Sequence, residues 1–132
     1  MTRRRNEEGH LLRERTDYIL ITGMGTANGE SKTDKQILTH EQFEGRMGYG
    51  SHYYINVDGD ALKGRQHDTW SVMHPSIDDA TVLIKLVGTD QFNEAQIAGA
   101  NGVARWLQQH YPDAEVCWDV FGQEKEYLSE VE

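Results

Sequence analysis

Residues 81–110 read Thr-Val-Leu-Ile-Lys-Leu-Val-Gly-Thr-Asp-Gln-Phe-Asn-Glu-Ala-Gln-Ile-Ala-Gly-Ala-Asn-Gly-Val-Ala-Arg-Trp-Leu-Gln-Gln-His and contain the two strongest structural signals of the chain. The first seven residues form a nearly continuous apolar run, which is typical of a central strand covered on both faces. Asn93 followed by Gln96 forms a capping box, and a helical pattern extends from it to His110. The stretch therefore predicts a buried strand, a loop that begins at Gly88, and a long amphipathic helix. The helical residues expected to face the core are Ile97, Val103, Ala104, Trp106 and Leu107.

Further strands and one more helix are predicted on both sides of this unit. They are a strand at 18–22, a helix from Thr33 or Asp34 to about residue 44, a hairpin of 51–57 and 61–64 around an Asp58-Gly59 turn, and a last strand at 115–120. Strands that alternate with helices predict a three-layer α/β domain with a central mixed sheet flanked by helices. Ligands in such folds collect in the loops beyond the strand ends, which here are 23–32, 66–80 and 118–125.

Charged segments are predicted to flank this domain, which we place at residues 16–122. Residues 1–15 hold Arg3, Arg4, Arg5, Arg13 and Arg15 and lack a sustained apolar face, so we expect a flexible or marginally helical lead-in. The cluster could be a nucleic-acid arm, but a solvated tail is the favoured interpretation. Residues 123–132 are acidic and predict a frayed tail.

Composition narrows the functional classes. A net charge of -9 over 132 residues disfavours broad contact with nucleic acid or anionic membranes, although it is compatible with a small anionic ligand. The chain lacks a long apolar run and an apolar signal-peptide core, and its single cysteine, Cys117, cannot form an internal disulfide. We therefore expect a cytoplasmic protein of one domain that does not associate with membranes.

Several segments together resemble one protein family. Thr16-Asp-Tyr-Ile-Leu-Ile-Thr-Gly-Met-Gly-Thr26 resembles the opening strand of the N-acetylmuramoyl-L-alanine amidases and peptidoglycan recognition proteins, and Gly50-Ser-His-Tyr-Tyr-Ile-Asn-Val-Asp-Gly59 resembles their Gly-Tyr-His-Phe hairpin. Residues 83–96 are similar to the family's central strand and the start of its helix, and residues 111–116 to the segment before its last strand. The segments occur in the family's order and cover about residues 16–122, which implies the amidase-type fold, as carried by phage lysozymes of the amidase type.

This resemblance fails at the positions where the family holds zinc. A family amidase uses a His at the end of strand one, a His at the end of the last strand, and an Asp or Cys several residues later. Here the first position is Thr22 and the second is Cys117, and the third would lie near residues 125–127, although no Cys, His or Asp follows Asp119. Ser51 replaces the family's catalytic Tyr. Because catalytic zinc needs three protein ligands and an open water position, we expect no catalytic residues, no metal and no other cofactor.

Seven residues are candidate ligand contacts because they fall in or near the family's cleft: Thr22, Met24, His52, Trp70, His74, Cys117 and Asp119. His74 lies in a cleft loop, which favours ligand contact. Trp70 could stack on a ligand ring or cover the apolar edge under its loop, and His52 could bind a ligand or be a hydrogen-bonded structural residue. Cys117 is expected to be a small buried hydrophobe rather than a reactive thiol. Lys85 points outward or towards an anionic ligand.

The leading hypothesis is therefore a non-catalytic binding protein, with a phage origin. It would sequester a small ligand, such as a host immune signalling nucleotide, or inhibit a host defence protein. One alternative is a binder of peptidoglycan fragments. Another is a zinc-dependent amidase, an endolysin, with an atypical metal site built from His52, His74, Cys117 or Asp119. A purely structural or interaction protein is the third class.

Overall fold

The computed structural model describes residues 4–7, 9–43, 48–73 and 75–119. In these residues the strands are β1 (Tyr18–Gly23), β2 (Tyr53–Ile55), β3 (Ala61–Lys63), β4 (Thr81–Leu86) and β5 (Glu115–Asp119), and the α-helices are α1 (Asp34–Phe43) and α2 (Glu94–His110). A short 3-10 turn at Asp78–Ala80 leads into β4. Neither α-helix is long and apolar enough to cross a membrane.

The strands form one mixed sheet in the order β3-β2-β4-β1-β5. The central strand β4 runs parallel to β1 and β2, β5 runs parallel to β1, and β3 is antiparallel to β2. All six residues of β4 are buried. The apolar run predicted this, because it is typical of a strand covered on both faces. The predicted α/β domain with a central mixed sheet is confirmed.

The larger core lies between the sheet and α2. Residues of β1, β2, β4 and β5 face this helix and pack against its small and apolar side chains. The cluster comprises Ile19, Ile21, Ile55, Val82, Ile84, Leu86, Ala100, Ala104, Leu107, Ala114 and Trp118. The predicted capping box is present: Gln96 N donates to Asn93 Oδ1 over 2.8 Å, and Asn93 N donates to Gln96 Oε1 over 3.2 Å. The capping box that predicted the start of the helix therefore fixes its first turn in the structure.

A smaller core lies on the opposite face, under α1. Met24, Ile37, Tyr54 and Val87 form it, and Ile37 and Glu41 are the buried residues of α1. Of the two predicted caps, Thr33 and Asp34, it is Thr33 that caps this helix, since its Oγ1 accepts from Gln36 N over 3.2 Å. The face under α1 is thus only partly apolar, and a buried carboxylate reaches into it.

Trp106 was expected in the core, and this prediction is wrong. Its side chain is 43% exposed, and it lies beside Tyr53 at the margin of the α2 interface. The inner face of α2 is filled instead by Ala100, Ala104 and Leu107, whose small or compact side chains let the helix approach the sheet closely. The position of Trp106 matches the helical repeat of core residues only approximately. Its side chain therefore lies at the rim of the α2 interface and not inside it.

The described part of the N-terminal segment contains no helix, and part of it is buried against the domain. Leu12 forms an isolated bridge with Thr69, and the buried side chain of Arg13 donates to Thr69 O over 2.8 Å and to Thr16 Oγ1 over 2.7 Å. Backbone and hydroxyl oxygens thus satisfy the Arg13 guanidinium inside the fold, so Leu12 and Arg13 pack against the domain rather than extend into solvent. The acidic tail at 123–132 lies outside the described residues.

Candidate ligand-binding site

The carboxyl ends of three parallel strands meet at Thr22. Its neighbour in β4 is Lys85 and its neighbour in β5 is Asp119, and its Oγ1 donates to Asp119 O over 3.0 Å. Residues that are paired in register point to the same face of a sheet, so these three side chains share the face covered by α1. The structure thus brings together two of the predicted contacts, Thr22 and Asp119, and adds Lys85.

Lys85 is part of a buried polar network on this face. Its Nζ lies 3.0 Å from Glu41 Oε1 and 3.3 Å from Glu41 Oε2, and the hydroxyl of Tyr54 also donates to the Glu41 carboxylate. Tyr54 in turn accepts a hydrogen bond from Ser51 N over 3.2 Å. Burial, followed by the negative charge of Glu41, raises the pKa of Tyr54, so the phenol keeps its proton. Lys85 was expected to point outward or towards an anionic ligand. Both interpretations are wrong, since its ammonium points inward and pairs with Glu41.

Two roles were considered for His52, ligand binding and structural hydrogen bonding, and its contacts are those of the second. Its side chain is fully buried, Nδ1 accepts from Leu83 N over 2.9 Å, and Nε2 lies 2.7 Å from Thr69 O. These partners require the proton on Nε2, because Nδ1 faces a donor and Nε2 faces an acceptor. Burial lowers the pKa of His52 to about 3, so the ring is neutral. Both nitrogens are engaged, which argues against ligand contact.

Three other predicted contacts have different environments. Met24 is buried in the α1-side core, and ligand contact by it stays a prediction. Cys117 is half-buried, and burial followed by the charge of Glu115 raises the pKa of its thiol, which agrees with an unreactive cysteine. Trp70 is half-buried, with its backbone held between Leu11 and Arg65. Ligand contact by Trp70 remains a prediction, and His74 lies outside the described residues.

A groove runs along α1, next to the loop that follows β1. It encloses about 280 Å³ and is lined by Thr26, Lys32, Lys35, Gln36, Thr39 and His40. Ammonium, imidazole, hydroxyl and amide groups line it, and no carboxylate is among the described lining residues. Lys32 is half-buried and pairs with the exposed Glu30 at 3.5 Å. The helical residues of the groove were missed because a charged helix face ordinarily indicates a solvated surface.

A second cavity of about 360 Å³ lies between the 23–32 loop and the start of α2, and its lining residues are Asn28, Gly29, Gln91, Phe92, Asn93 and Gln96. Asn28 Oδ1 accepts from the backbone N–H groups of Thr89, Asp90 and Gln91 over 2.8 to 3.2 Å. These donors, which could otherwise hold an anion, are already satisfied by the chain itself. The α1 groove is therefore the better candidate for a charged ligand.

The residues at the family's first zinc position do not fit a zinc ion. The Thr22 hydroxyl donates to Asp119 O, and the strand beside it presents Lys85, whose ammonium is a donor without a lone pair and cannot ligate a metal. Across the part of the chain that the structure describes, no three His, Cys, Asp or Glu side chains converge to hold a metal. Residues 125–127, where the family's third ligand would fall, lie outside that part.

Solved structures with the same architecture include amidases, endolysins and recognition proteins. The N-acetylmuramoyl-L-alanine amidase LysC from Clostridium intestinale URNW has a TM-score of 0.73 at 18% identity, covering 89% of this chain and 85% of the amidase. The Ph2119 endolysin from Thermus scotoductus bacteriophage Ph2119 has a TM-score of 0.71 at 19% identity, covering 83% and 75%. Peptidoglycan recognition protein SA from Apis mellifera has a TM-score of 0.71 at 14% identity, covering 92% and 81%. The chain has the amidase and peptidoglycan recognition protein fold.

This amidase fold extends over most of the chain, which confirms the resemblance found in the sequence at the level of architecture. Neither a protein-family model nor a curated protein sequence matches the chain. At identities of 10 to 19%, the neighbours define the fold and leave the activity of this amidase-fold chain to be inferred from its own residues.

Proposed function

We propose that this amidase-fold chain is a non-catalytic binding protein that captures a small anionic ligand in the groove along α1. The observation that carries the proposal is the lining of that groove, which combines Lys32, Lys35 and His40 with hydroxyl and amide groups in a chain of net charge -9. A local cationic surface on an acidic protein attracts small anions while the rest of the surface repels large ones. Ammonium and hydroxyl donors can then hydrogen-bond carboxylate or phosphate oxygens.

The absence of catalysis follows in this proposal from the first zinc position. Metal-assisted hydrolysis needs a cation that lowers the pKa of a bound water and keeps one position open for it. At Thr22 the neighbouring strand presents the Lys85 ammonium, which is already paired with a buried carboxylate. A lysine ammonium has no vacant orbital and cannot replace a Lewis acid, so in this proposal the chain binds its ligand and does not cleave it.

A peptidoglycan fragment is the first ligand candidate. The recognition proteins among the structural neighbours, from Apis mellifera and Drosophila, are named for peptidoglycan recognition. Stem peptides of peptidoglycan carry free carboxylates. Carboxylate oxygens accept hydrogen bonds from donors such as the lysines and hydroxyls of the groove.

A signalling nucleotide is the second candidate, and Lys32 and Lys35 favour it because lysine binds phosphate as a compact point charge. Under this proposal the chain, encoded by a phage, would remove an immune messenger from the host cytoplasm. Inhibition of a host defence protein is the related proposal for a macromolecular partner.

Calorimetric titration with two probes, a muramyl tripeptide and a cyclic dinucleotide, tests the proposal. We expect one probe to bind, the Lys32→Ala/Lys35→Ala variant to lose at least tenfold in affinity, and Lys63→Ala, which removes an exposed lysine of β3 outside the groove, to bind as the wild type does. Purified peptidoglycan incubated with the protein and added zinc should release no peptide. Zinc-dependent release would establish an enzyme, and failure of both probes to bind would refute the proposed ligand classes.

A further inference from the structure

An aromatic cluster lies on the opposite side of the sheet from the α1 groove. It consists of Tyr53, His67, Trp106, His110 and Tyr111, and it is defined by the last turns of α2 and the loop after β3. Trp106 stacks on His67 with ring centroids 6.1 Å apart and an interplanar angle of 17°, and its centroid lies 4.6 Å from that of His110. Two imidazoles are thus held against one exposed indole.

His110 is oriented with one ring nitrogen available. Its Nδ1 lies 3.1 Å from Trp106 O, one turn earlier in α2. A carbonyl oxygen can only accept, so this contact places the proton of neutral His110 on Nδ1 and the lone pair on Nε2. A hydrogen bond from one imidazole nitrogen to a backbone carbonyl is the usual support of a metal-ligating histidine, because it fixes the tautomer and the ring orientation.

His67 has an unsatisfied nitrogen in the same cluster. Its Nδ1 is buried and has no hydrogen-bond partner among the described residues. Buried polar atoms in native proteins nearly always have a partner, and a bound water or ion is one way to supply it. Burial chiefly lowers the pKa of His67, with further lowering by the charges of Arg13, Lys63 and His110 against the opposing effect of Asp68. Burial thus favours the neutral ring, which is the form that binds metals.

We propose that His67 and His110 together bind one transition-metal ion of the class that prefers imidazole, namely Zn²⁺, Ni²⁺ or Cu²⁺. Their ring centroids are 6.3 Å apart. With metal–nitrogen bonds of about 2.1 Å, two imidazoles that share an ion have ring centres roughly 5 to 6.5 Å apart, so the observed separation is within reach of a small rotation of the exposed His110. Water completes the coordination, because no third His, Cys, Asp or Glu joins this pair in the described part of the chain.

The surroundings of the pair limit its affinity. The guanidinium of Arg13 lies over the Tyr111 ring, 5.2 Å from its centroid, and Tyr111 contacts both histidines. This cation opposes a second positive charge nearby, so we expect it to weaken the binding of the ion. The site is independent of the proposed function, since the α1 groove lies on the other face of the sheet.

Titration of the full-length chain with Ni²⁺ and Cu²⁺ tests the proposal, with calorimetry for affinity and paramagnetic broadening of NMR signals for location. We expect one ion per chain, broadening that centres on the Trp106 indole and the rings of His67 and His110, and at least tenfold weaker binding in both His67→Asn and His110→Asn. His40→Asn, on α1, is the matched control and should bind as the wild type does.

Three outcomes would overturn the proposal. They are no binding to the wild type, unchanged affinity in either variant, or broadening that centres on Cys117 or the N-terminal segment. An effect of His110→Asn alone would mean a single-histidine surface site, with water as the partner of His67 Nδ1. If His67→Asn lowers the melting temperature strongly, His67→Gln and the NMR map of the wild type still decide between these outcomes.

Discussion

Glu41 of α1 and Lys85 of β4 form an ion pair inside the protein, with Nζ 3.0 Å from Oε1 and side chains that are 0% and 3% exposed. Taking two charges out of water is costly, and close contact together with further hydrogen bonds must offset that cost. Tyr54 supplies one of these bonds to the same carboxylate. Because Glu41 lies on the helix that lines the groove, the pair also fixes the position of the proposed binding surface relative to the sheet.

Removing one partner of this pair should destabilise the fold strongly. Lys85→Met leaves a buried carboxylate and Glu41→Gln leaves a buried ammonium, and each change should lower the free energy of unfolding by about 3–5 kcal/mol. Urea unfolding followed by circular dichroism measures the difference.

The double variant Glu41→Leu/Lys85→Met separates loss of the pair from loss of charge balance. Replacing a buried ion pair with apolar side chains is often neutral or stabilising, so we expect the double variant to recover most of the lost stability. Lys63→Met, at an exposed position of β3, should change stability by less than about 0.5 kcal/mol. Single variants as stable as the wild type would show that water reaches the pair.

The fold could be predicted because its strongest signals are local. The apolar run of β4 and the capping box of Asn93 and Gln96 each lie within a few residues, and both appear in the structure as the sequence indicated. The environment of Lys85 could not be predicted in this way. Its partner Glu41 is 44 residues away, and the pattern that reveals a lysine in a buried strand does not reveal which carboxylate neutralises it.

The candidate site was predicted less completely than the fold. Strand order and register place Thr22 beside Asp119, whereas the resemblance aligned the second ligand position with Cys117, which is paired with Leu20. Met24 and His52 are buried. Period-two alternation assigns a side chain to one face of a strand, and it does not say whether a helix covers that face. Likewise, the charged face of α1 that contains Lys35 has the sequence pattern of a solvated surface. Only the fold shows that the loop after β1 lies beside it and forms a groove.

His52 should make stability depend on pH. Its pKa in the folded state is lowered to about 3, below the ordinary value of 6.5, so the folded chain binds fewer protons than the unfolded chain between these values. The contribution of neutral His52 is present above pH 6.5 and is lost as the pH falls towards 3. Between pH 7 and pH 5 this loss should be roughly 2 kcal/mol.

Urea unfolding at the two pH values, in parallel with His52→Gln, measures this effect. The variant should be less stable at pH 7 and should lose less stability on acidification, because it cannot take up the proton. The ring signals of His52 in NMR should also not titrate above pH 4. A normal titration of His52 near pH 6.5 would contradict its buried environment.

Asn93 should stabilise α2 through its cap. Asn93→Ala removes the acceptor for Gln96 N and the hydrogen bond from Asn93 Nδ2 to Val57 O, so the free energy of unfolding should fall by about 1–2 kcal/mol. Thermal and urea unfolding provide the measurement. Gln109→Ala, at an exposed position of the same helix, should leave stability within about 0.5 kcal/mol, and equal losses in the two variants would argue against a specific cap.

Trp106 and Leu107 are adjacent in α2 but should respond very differently to truncation. Leu107 is fully buried in the larger core, so Leu107→Ala should cost about 2–5 kcal/mol through lost burial and the cavity that remains. Trp106 is 43% exposed and packs on other partly exposed rings, so Trp106→Ala should cost about 1 kcal/mol, in spite of its larger side chain. Unfolding of both variants under the same conditions decides the order, and a larger loss for Trp106→Ala would mean that the aromatic cluster contributes to the core of the fold rather than to its surface.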